Sequence, residues 1–235
     1  MGSKFNNNKT ISEDLPKRHS PDEDLIYQTV EYPDYFLDFN DNKIKSKNLG
    51  EKFAAINSFF LDYLKEYHIP SSFYKMENKT HLKYLKLDKY PFSIRILNVF
   101  DKRTSRIFHK KEFDNLPLPV FELHYGNGKD TLISESHLIS FDLCNIEDYK
   151  IINRICSKIN AVMKSFFERR NSILAEVTCH FGKLDDKIYL VDDFTPASLK
   201  VIPLNKDDHY VDPYKFGTSA EVKHYTDHLF NLMST

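Results

Sequence analysis

The chain has 235 residues, enough for one large domain or two small ones with a substantial core. Its formal net charge is -1 and its pI is near 6.8, so the overall charge gives no electrostatic footprint for nucleic acid or for an anionic membrane. Cys144, Cys156 and Cys179 are too few and too poorly spaced for a disulfide framework or a zinc site, and no apolar run approaches the ~20 residues of a membrane span. These features predict a reduced, cytoplasmic protein that binds neither nucleic acid nor membrane.

The N-terminal half begins with a polar segment and continues with short elements. Residues 1–24 combine Asn, Lys, Ser, Asp and Pro with almost no apolar side chain, so we expect a disordered tail. From Gly50 to His68, apolar side chains recur on one helical face, and Ile69-Pro70 ends the helix. Short strands are predicted over residues 27–32, 35–39, 81–87 and 92–99.

The C-terminal half contains the clearest helix of the chain. It is predicted over Asn145 to Arg170, with Asn145 and Asp148 forming its N-terminal cap. A strand from Ser172 to Phe181, a turn over 182–186 and a return strand from Lys187 to Val191 follow. A last helix is predicted from Ser219 to Met233.

The hairpin carries the chemistry that the sequence suggests most directly. Its pairing predicts that Glu176 and His180 lie toward the Asp192-Asp193 end of the return strand. Adjacent carboxylates at a strand end suit Mg²⁺, which takes one or two protein carboxylates and leaves its other positions to phosphate and water. A polar hairpin end without any ligand is the alternative that the spacing alone favours.

Three stretches resemble the SAICAR synthetase (phosphoribosylaminoimidazole-succinocarboxamide synthase) family, in the family's order. FGK, a short turn and LVDDFTPAS resemble the family's VDFKLEFG, a turn and LADEISPDSCR. Residues 118–141, LPVFELHYGNGKDTLISESHLISF, resemble PxxEfyyKnDelgDPlvsedHI. Residues 48–74, NLGEKFAAINSFFLDYLKEYHIPSSFY, resemble KGxlNnxiSxflfkxLexxGIxtHF. The likeness covers roughly residues 36 to 233.

This resemblance implies both a fold and a reaction. The fold would be α+β and two-lobed, with an N-terminal antiparallel β lobe over residues 25–125, a C-terminal α/β lobe over 126–235 and an interlobe nucleotide cleft. The N-terminal sheet would run from about Tyr27 to Tyr125. The family condenses a carboxylated aminoimidazole ribotide with aspartate at the expense of ATP, so the implied cofactors are ATP and Mg²⁺.

The resemblance also implies roles for individual residues. Asp192 matches the family's metal-binding aspartate and is the implied metal ligand. The implied cofactor-binding residues are Glu122, Asp192, Asp193 and Ser198. The implied catalytic residues are Asn98, Glu176 and Lys200, where Lys200 stands in place of a phosphate-binding arginine.

Several family positions carry a different residue in this chain. The glycine and both lysines of the family's GKxK loop have no counterpart between Leu25 and Asn42. Leu97 stands in place of the arginine of the family's Arg-Asn pair, with Arg95 two residues earlier on the same strand face. Thr178 and His180 replace a lysine and a glutamate. A site that joins polyanions needs cations, and each buried charge-assisted contact contributes about 1.5–3 kcal/mol, so a degraded active site is expected.

Three functional hypotheses follow from these matches and losses. The first is a diverged ATP-dependent amide ligase, and the second is a pseudoenzyme that acts as a binding or regulatory module. The third is a kinase-like phosphotransferase, suggested by Asp193-Phe194 after a strand but lacking a glycine loop. The expected partners are a nucleotide and a small-molecule substrate, and assembly as a homo-oligomer or with an active paralogue is left open.

Overall fold

The computed structural model describes residues 26–37, 42–126, 131–191, 194–204 and 212–234. The tail expected over residues 1–24 lies outside the described residues, as do Asp192 and Asp193. The architecture combines helices with antiparallel sheets and confirms the predicted α+β class.

Two small sheets lie in the N-terminal part of the chain. Their strands are β1 (Tyr27–Glu31), β2 (Tyr35–Leu37), β3 (Lys43–Lys45), β4 (Phe73–Met76) and β5 (His81–Leu85). One sheet has the order β1-β5-β4, and β2 pairs only with β3. Because β1 and β2 belong to different sheets, the segment where the family carries its glycine loop is not a β-hairpin here.

A six-stranded antiparallel sheet forms the centre of the molecule. Its strands are β6 (Asp88–Val99), β7 (Asn115–Tyr125), β8 (Leu132–Ile133), β9 (Ser172–Leu184), β10 (Lys187–Leu190) and β11 (Leu199–Pro203). Their order is β10-β9-β6-β7-β8, and β11 pairs with β9 as well. We expected β6 and β7 in an N-terminal sheet, whereas the structure pairs β6 with β9 of the hairpin. The division of the chain at residue 125 stays a prediction.

Apolar side chains on one face of the central strands explain this pairing. Ile94 and Ile96 of β6 lie opposite Cys179 and Val177 of β9, and all four are fully buried. Antiparallel partners share a face of the sheet, so these pairs form one continuous apolar surface that must be covered. The long helix described below covers it.

Two irregularities change which side chains face the core. Between Lys200 and Val201 of β11 the register with β9 shifts, and the partner of β11 moves from Glu176 to Leu174. Ala175 is therefore the extra residue of a β-bulge, which turns Glu176 to the opposite face from Val177 and Leu174. A second register shift lies opposite Asn98, where residues 116–119 of β7 have no partner in β6. Pro117 and Pro119 lie in this second irregularity, where no ladder hydrogen bond is required of them.

Five helices lie within the described residues. They are α1 (Leu49–Glu66), α2 (Lys102–Phe108), α3 (Glu135–Ser140), α4 (Ile146–Glu168) and α5 (Ser219–Leu232). The side chain of Asn145 accepts a hydrogen bond from the backbone N–H of Asp148 at 2.8 Å, which confirms the predicted cap of α4. Gly50 of α1 lies so close to Tyr32 that a Cβ would be 2.0 Å from the Tyr32 carbonyl oxygen. None of the described helices is both long and apolar enough to cross a membrane.

Candidate functional site

One face of the central sheet carries the polar side chains that the sequence singled out. Antiparallel partners share a face, and Arg95 of β6 lies opposite both Glu122 of β7 and Thr178 of β9. Glu176 lies opposite Leu97 of β6 and Lys200 of β11. We call this surface the polar face, and we define it by Arg95, Glu122, Glu176, Thr178 and Lys200.

Arg95 is the centre of the polar face because three carboxylates converge on it. Its Nη2 lies 2.5 Å from Glu176 Oε2 and 2.9 Å from Asp101 Oδ2, and its Nη1 lies 3.2 Å from Glu122 Oε2. Each carboxylate side chain is less than a tenth exposed. Asp101 is also the N-cap of α2, accepting from the backbone N–H of Thr104 at 2.7 Å. The guanidinium therefore ties together β7, β9 and the start of α2.

The protonation states of this cluster follow from its contacts. Burial disfavours the charged guanidinium, but the hydrogen bond and the charge of Glu176 outweigh it and raise the pKa of Arg95. Burial also opposes ionisation of Asp101, yet hydrogen bonds from Thr104 and the charge of Arg95 lower its pKa. For Glu122, burial is outweighed by a hydrogen bond from His124 and by Arg95 and Arg103, so its pKa is lowered too. Both carboxylates are ionised at neutral pH.

Lys200 is enclosed rather than open to a ligand. Its side chain is 2% exposed, and its Nζ donates to the backbone carbonyl of Pro196. The same nitrogen lies 4.6 Å from the ring centroid of Phe216 and 5.5 Å from that of Tyr214. Burial is the main reason that the pKa of Lys200 falls to about 8.

The segment that covers Lys200 also contacts the acids of the polar face. The Tyr214 hydroxyl donates to Glu176 Oε2 at 3.1 Å, and the Tyr214 ring stacks on Phe113 with centroids 6.0 Å apart. Burial and the nearby charge of Glu176 raise the pKa of Tyr214, so the phenol stays protonated and remains a donor. Phe216 packs against Phe36 at 5.3 Å. Residues 212–217 therefore close the polar face around Glu176 and Lys200.

Asn98 does not lie with the other implied catalytic residues. It follows Leu97 on β6 and lies against helix α4, where its amide exchanges two hydrogen bonds with that of Asn160, at 2.8 and 3.0 Å. Both side chains are buried. The pair joins β6 to α4 on the face of the sheet opposite Arg95.

The remaining implied site residues lie around the end of the hairpin. Ser198 is buried just before β11, where its Oγ accepts from the backbone N–H of Thr195 at 3.1 Å and its carbonyl accepts from Thr178 at 2.8 Å. Asp192 and Asp193 are outside the described residues. Their neighbours are fixed, because Val191 donates to the carbonyl of His180 at 3.0 Å and Phe194 donates to Asn57 Oδ1 at 2.5 Å.

A metal centre and a cavity were considered as two other possible sites, and both have less support than the polar face. Within the described ranges no group of three His, Cys, Asp or Glu side chains is placed to hold a metal ion. A cavity of about 350 Å³ lies at the other end of β6, near Tyr90, Cys144 and Asp148. There Tyr90 and Lys183 already bond Asp148, and burial with the charge of Asp148 raises the pKa of the Cys144 thiol to about 11. The thiol of Cys144 is therefore not a thiolate and the carboxylate of Asp148 is already bonded, while the other acids of the lining, Asp88 and Asp185, are exposed surface residues.

Sequence reasoning identified part of this constellation and missed part. Glu122, Glu176 and Lys200 do lie together on the polar face. The sequence allowed Arg95 to be a substitute phosphate ligand or a surface residue, whereas the structure places its guanidinium against Glu122, Glu176 and Asp101. Tyr214 was missed because its segment carries no periodicity and reaches Glu176 across 38 residues of chain.

Comparison with known proteins agrees with the resemblance. The family model described as SAICAR synthetase matches residues 27–214. The phosphoribosylaminoimidazole-succinocarboxamide synthase of Desulfitobacterium hafniense is 28% identical over 78% of this chain and 78% of its own. The enzyme of the same name from Persephonella marina is 32% identical over 62% of each chain.

Solved structures show the same fold. The SAICAR synthetase of Pyrococcus horikoshii matches with a TM-score of 0.80 at 22% identity, covering 89% of this chain and 93% of that one. The synthase of Ehrlichia chaffeensis matches with a TM-score of 0.79 at 20% identity, covering 92% and 94%. A SAICAR synthetase in complex with ADP matches with a TM-score of 0.80 at 22% identity, covering 89% and 92%. With the family model spanning most of its length and the fold agreeing, this chain belongs to the SAICAR synthetase family.

Proposed function

We propose that the protein binds a nucleotide in the manner of SAICAR synthetases but has a degraded site for the family's ATP-dependent amide ligation. The degraded site is supported by one observation: Arg95 forms ion pairs with three carboxylates of the protein itself. Leu97 stands where the family has a phosphate-binding arginine, and Arg95 is the cation nearest to it on the strand. A substrate phosphate would have to displace Glu122, Glu176 and Asp101 to reach the guanidinium.

Two other cations near this surface are also engaged. Arg103 pairs with Glu122, and Lys200 is enclosed by two aromatic rings and a backbone carbonyl. Each charge-assisted contact to a phosphate contributes about 1.5–3 kcal/mol, and an enzyme needs that free energy in the transition state to gain rate. Cations already neutralised by the protein supply less of it.

The nucleotide half of the proposal rests on the family and on the acids near the hairpin end. The ADP complex of a solved SAICAR synthetase supports nucleotide binding by this fold. We assign Asp192 as the Mg²⁺ ligand and Asp193, Ser198 and Glu122 as further contacts to the nucleotide. ATP would supply the free energy of amide formation, and Mg²⁺ would screen its phosphate charges.

Among the implied catalytic residues, the geometry separates three roles. Glu176 would face the substrate once the Tyr214 hydroxyl is displaced from it. Lys200 would meet an anion only after Phe216 and Tyr214 leave its ammonium group. Asn98 lies on the other face, so we assign it a positioning role through Asn160.

A second candidate function is a pseudoenzyme that serves as a binding or regulatory module, alone or with an active paralogue. The contact from Tyr214 to Glu176 favours it, because the acids of the polar face are satisfied within the chain itself. The two candidates differ in one measurable property, which is turnover of the family's substrates.

The test combines a binding assay and an activity assay. Thermal unfolding with increasing Mg²⁺-ADP should raise the melting temperature, since a ligand of the native state stabilises it by mass action. Incubation with ATP, Mg²⁺, aspartate and the carboxylated ribotide should give succinocarboxamide product far more slowly than the Desulfitobacterium hafniense relative assayed alongside. Asp192→Asn should abolish the ADP-dependent shift without changing the melting temperature of the free protein.

Three outcomes discriminate the readings. A rise in melting temperature with ADP, without formation of product, supports the degraded site. If no amino acid leads to release of ADP from ATP, the pseudoenzyme is favoured. Turnover near that of the relative, lost in Lys200→Ala, would contradict the proposal. If the protein unfolds cooperatively and neither ADP nor ATP changes its melting temperature, the proposed nucleotide binding would be contradicted.

A further inference from the structure

The connection between β6 and β7 differs in charge from the rest of the molecule. Residues 102–111, KRTSRIFHKK, contain five Lys or Arg side chains and no acidic one, although the whole chain has a net charge of -1. We call this segment the basic connection. It includes helix α2 and follows Asp101.

Most of its charges have no partner in the part of the chain that the structure describes. Arg103 pairs with Glu122, but the charged side chains of the four other cations make no hydrogen bond or ion pair with a described residue. These four are Lys102, Arg106, Lys110 and Lys111, and all of them are exposed. The acids that follow, Glu112 and Asp114, are fewer than the cations, so the segment keeps a positive charge.

Apolar side chains are exposed among these cations. Ile107 is 52% exposed and Phe108 is 61% exposed, both in the last turn of α2. Large exposed apolar side chains next to Lys and Arg in one segment are typical of a surface that meets anionic headgroups while inserting a few side chains below them.

Contrary to the expectation drawn from the net charge of the whole chain, we propose that the basic connection docks the protein on a bilayer surface that contains acidic phospholipid. Lys102, Arg106, Lys110 and Lys111 contact the headgroup phosphates, and Ile107 and Phe108 enter the boundary with the acyl chains. Ile107 favours lipid over single-stranded nucleic acid, because an aliphatic side chain cannot stack on a base, whereas the ring of Phe108 suits either partner. Arg103 stays with Glu122 and takes no part.

The first experiment is co-sedimentation of the full chain with vesicles. Vesicles of phosphatidylcholine alone are compared with vesicles of phosphatidylcholine and phosphatidylserine in equal parts. Binding is expected only to the second kind and should weaken strongly as salt rises to ~0.5 M, where screening acts within a few ångströms. Equal binding to both vesicles, or none to either, would overturn the proposal.

Three variants locate the surface. The quadruple variant Lys102→Gln, Arg106→Gln, Lys110→Gln, Lys111→Gln should bind the acidic vesicles about tenfold more weakly or worse. A matched control removes four exposed charges from α4 instead, as Lys150→Gln, Arg154→Gln, Lys158→Gln, Lys164→Gln, and should bind like the parent. Ile107→Ser with Phe108→Ser leaves the charge unchanged and should also weaken binding.

The variants also separate lipid from other polyanions. Equal losses in the two quadruple variants would show a general charge effect and contradict the assignment. Unchanged vesicle binding by the Ile107→Ser, Phe108→Ser protein would contradict the proposed insertion of these two side chains into the bilayer. Tighter binding to a single-stranded RNA oligonucleotide than to the acidic vesicles would overturn the choice of lipid. All the substituted side chains are exposed, and unchanged thermal unfolding confirms that the variants are folded.

Discussion

Arg95 lies among carboxylates from three different elements, and this placement decides what its charge can do. A buried guanidinium is stable only when its donors are bonded, and a buried carboxylate only when its charge is compensated. Glu176, Asp101 and Glu122 bond the donors of Arg95, and Arg103 supplies a second cation to Glu122. Removing Arg95 would leave these carboxylates short of compensating charge in the interior, so this residue contributes to stability before it contributes to any reaction.

The first prediction at this scale concerns Arg95→Met. The substitution keeps an unbranched side chain but removes the cation shared by three buried carboxylates, of which only Glu122 keeps another cation, Arg103. We expect the free energy of unfolding to fall by about 3–5 kcal/mol at neutral pH, measured by urea denaturation. Because Arg95 lowers the pKa of Asp101 and Glu122, part of the parent's stability should be lost as pH falls through the folded-state pKa values of these acids.

The control is Arg103→Met, which removes a cation from the same Glu122. Arg103 is 40% exposed, so its ion pair is screened by water and should contribute less than about 1 kcal/mol. If both variants lose the same free energy of unfolding, the three carboxylates around Arg95 would not make it more important for stability than Arg103.

At the scale of elements, strand phase decides which side chains reach the polar face. Arg95 and Leu97 face the site, and Asn98 faces α4, although the resemblance places Asn98 in the catalytic set. The strand alternation of β6 is readable from the sequence, but the face that α4 covers is not. Asn98 matches the family's residue, but in this structure it contacts helix α4 through Asn160 rather than the polar face.

The second prediction tests that anchor with Asn160→Ala. The substitution leaves the buried amide of Asn98 without the two hydrogen bonds it exchanges with Asn160. We expect the free energy of unfolding to fall by about 1–3 kcal/mol, because a buried polar group that loses its partner retains its desolvation penalty. Chemical denaturation measures it.

A double-mutant cycle and a neighbour on the same helix complete this test. Adding Asn98→Ala to Asn160→Ala should cost less than the sum of the single changes, since each single change already breaks the pair. Ser157→Ala, at an exposed position of α4 where the hydroxyl donates to the Asn153 carbonyl, should change stability by less than about 0.5 kcal/mol. Strictly additive losses would argue against a coupled amide pair.

The sequence predicted the individual elements better than their arrangement. The cap at Asn145, the apolar stripe of α4 and the hairpin of β9 and β10 depend on neighbouring residues and were predicted correctly. The pairing of β6 with β9 joins segments about 80 residues apart, as in the contact from Arg95 to Glu176, and no local pattern encodes it. The bulge at Ala175 was also missed. Predicting which side chains of a strand share a face assumes that they alternate without interruption, and a bulge breaks that alternation.

At the scale of the whole molecule, Lys200 is enclosed by its own neighbours in sequence and by a contact that reaches the N-terminal part of the chain. Pro196 bonds its ammonium group, Tyr214 and Phe216 lie beside it, and Phe216 is held in turn by Phe36. Only the complete fold can desolvate this charge, and desolvation is the largest cause of its lowered pKa. The sequence shows a lysine in place of an arginine and gives no sign of the enclosure.

The last prediction follows from that enclosure. The pKa of Lys200 is about 8 in the folded protein and has its ordinary value of 10.5 when unfolded. Between these values the unfolded chain binds more protons than the folded one, so this residue makes the free energy of unfolding rise with pH. Tyr214 acts in the opposite direction because its pKa is raised, so the effect of Lys200 must be taken as a difference between two proteins.

Lys200→Met supplies that difference. We expect the variant to be at least as stable as the parent at pH 7, where the parent still carries a buried ammonium group that the methionine lacks. From pH 8 to pH 10 the parent should gain about 1 kcal/mol or more relative to the variant, measured by urea denaturation at each pH. Lys150→Met, which removes an exposed lysine of α4, should leave the pH dependence of the parent unchanged. Parallel curves for the parent and Lys200→Met would show that the ammonium group is solvated after all, and that Phe216 and Tyr214 do not close over it in solution.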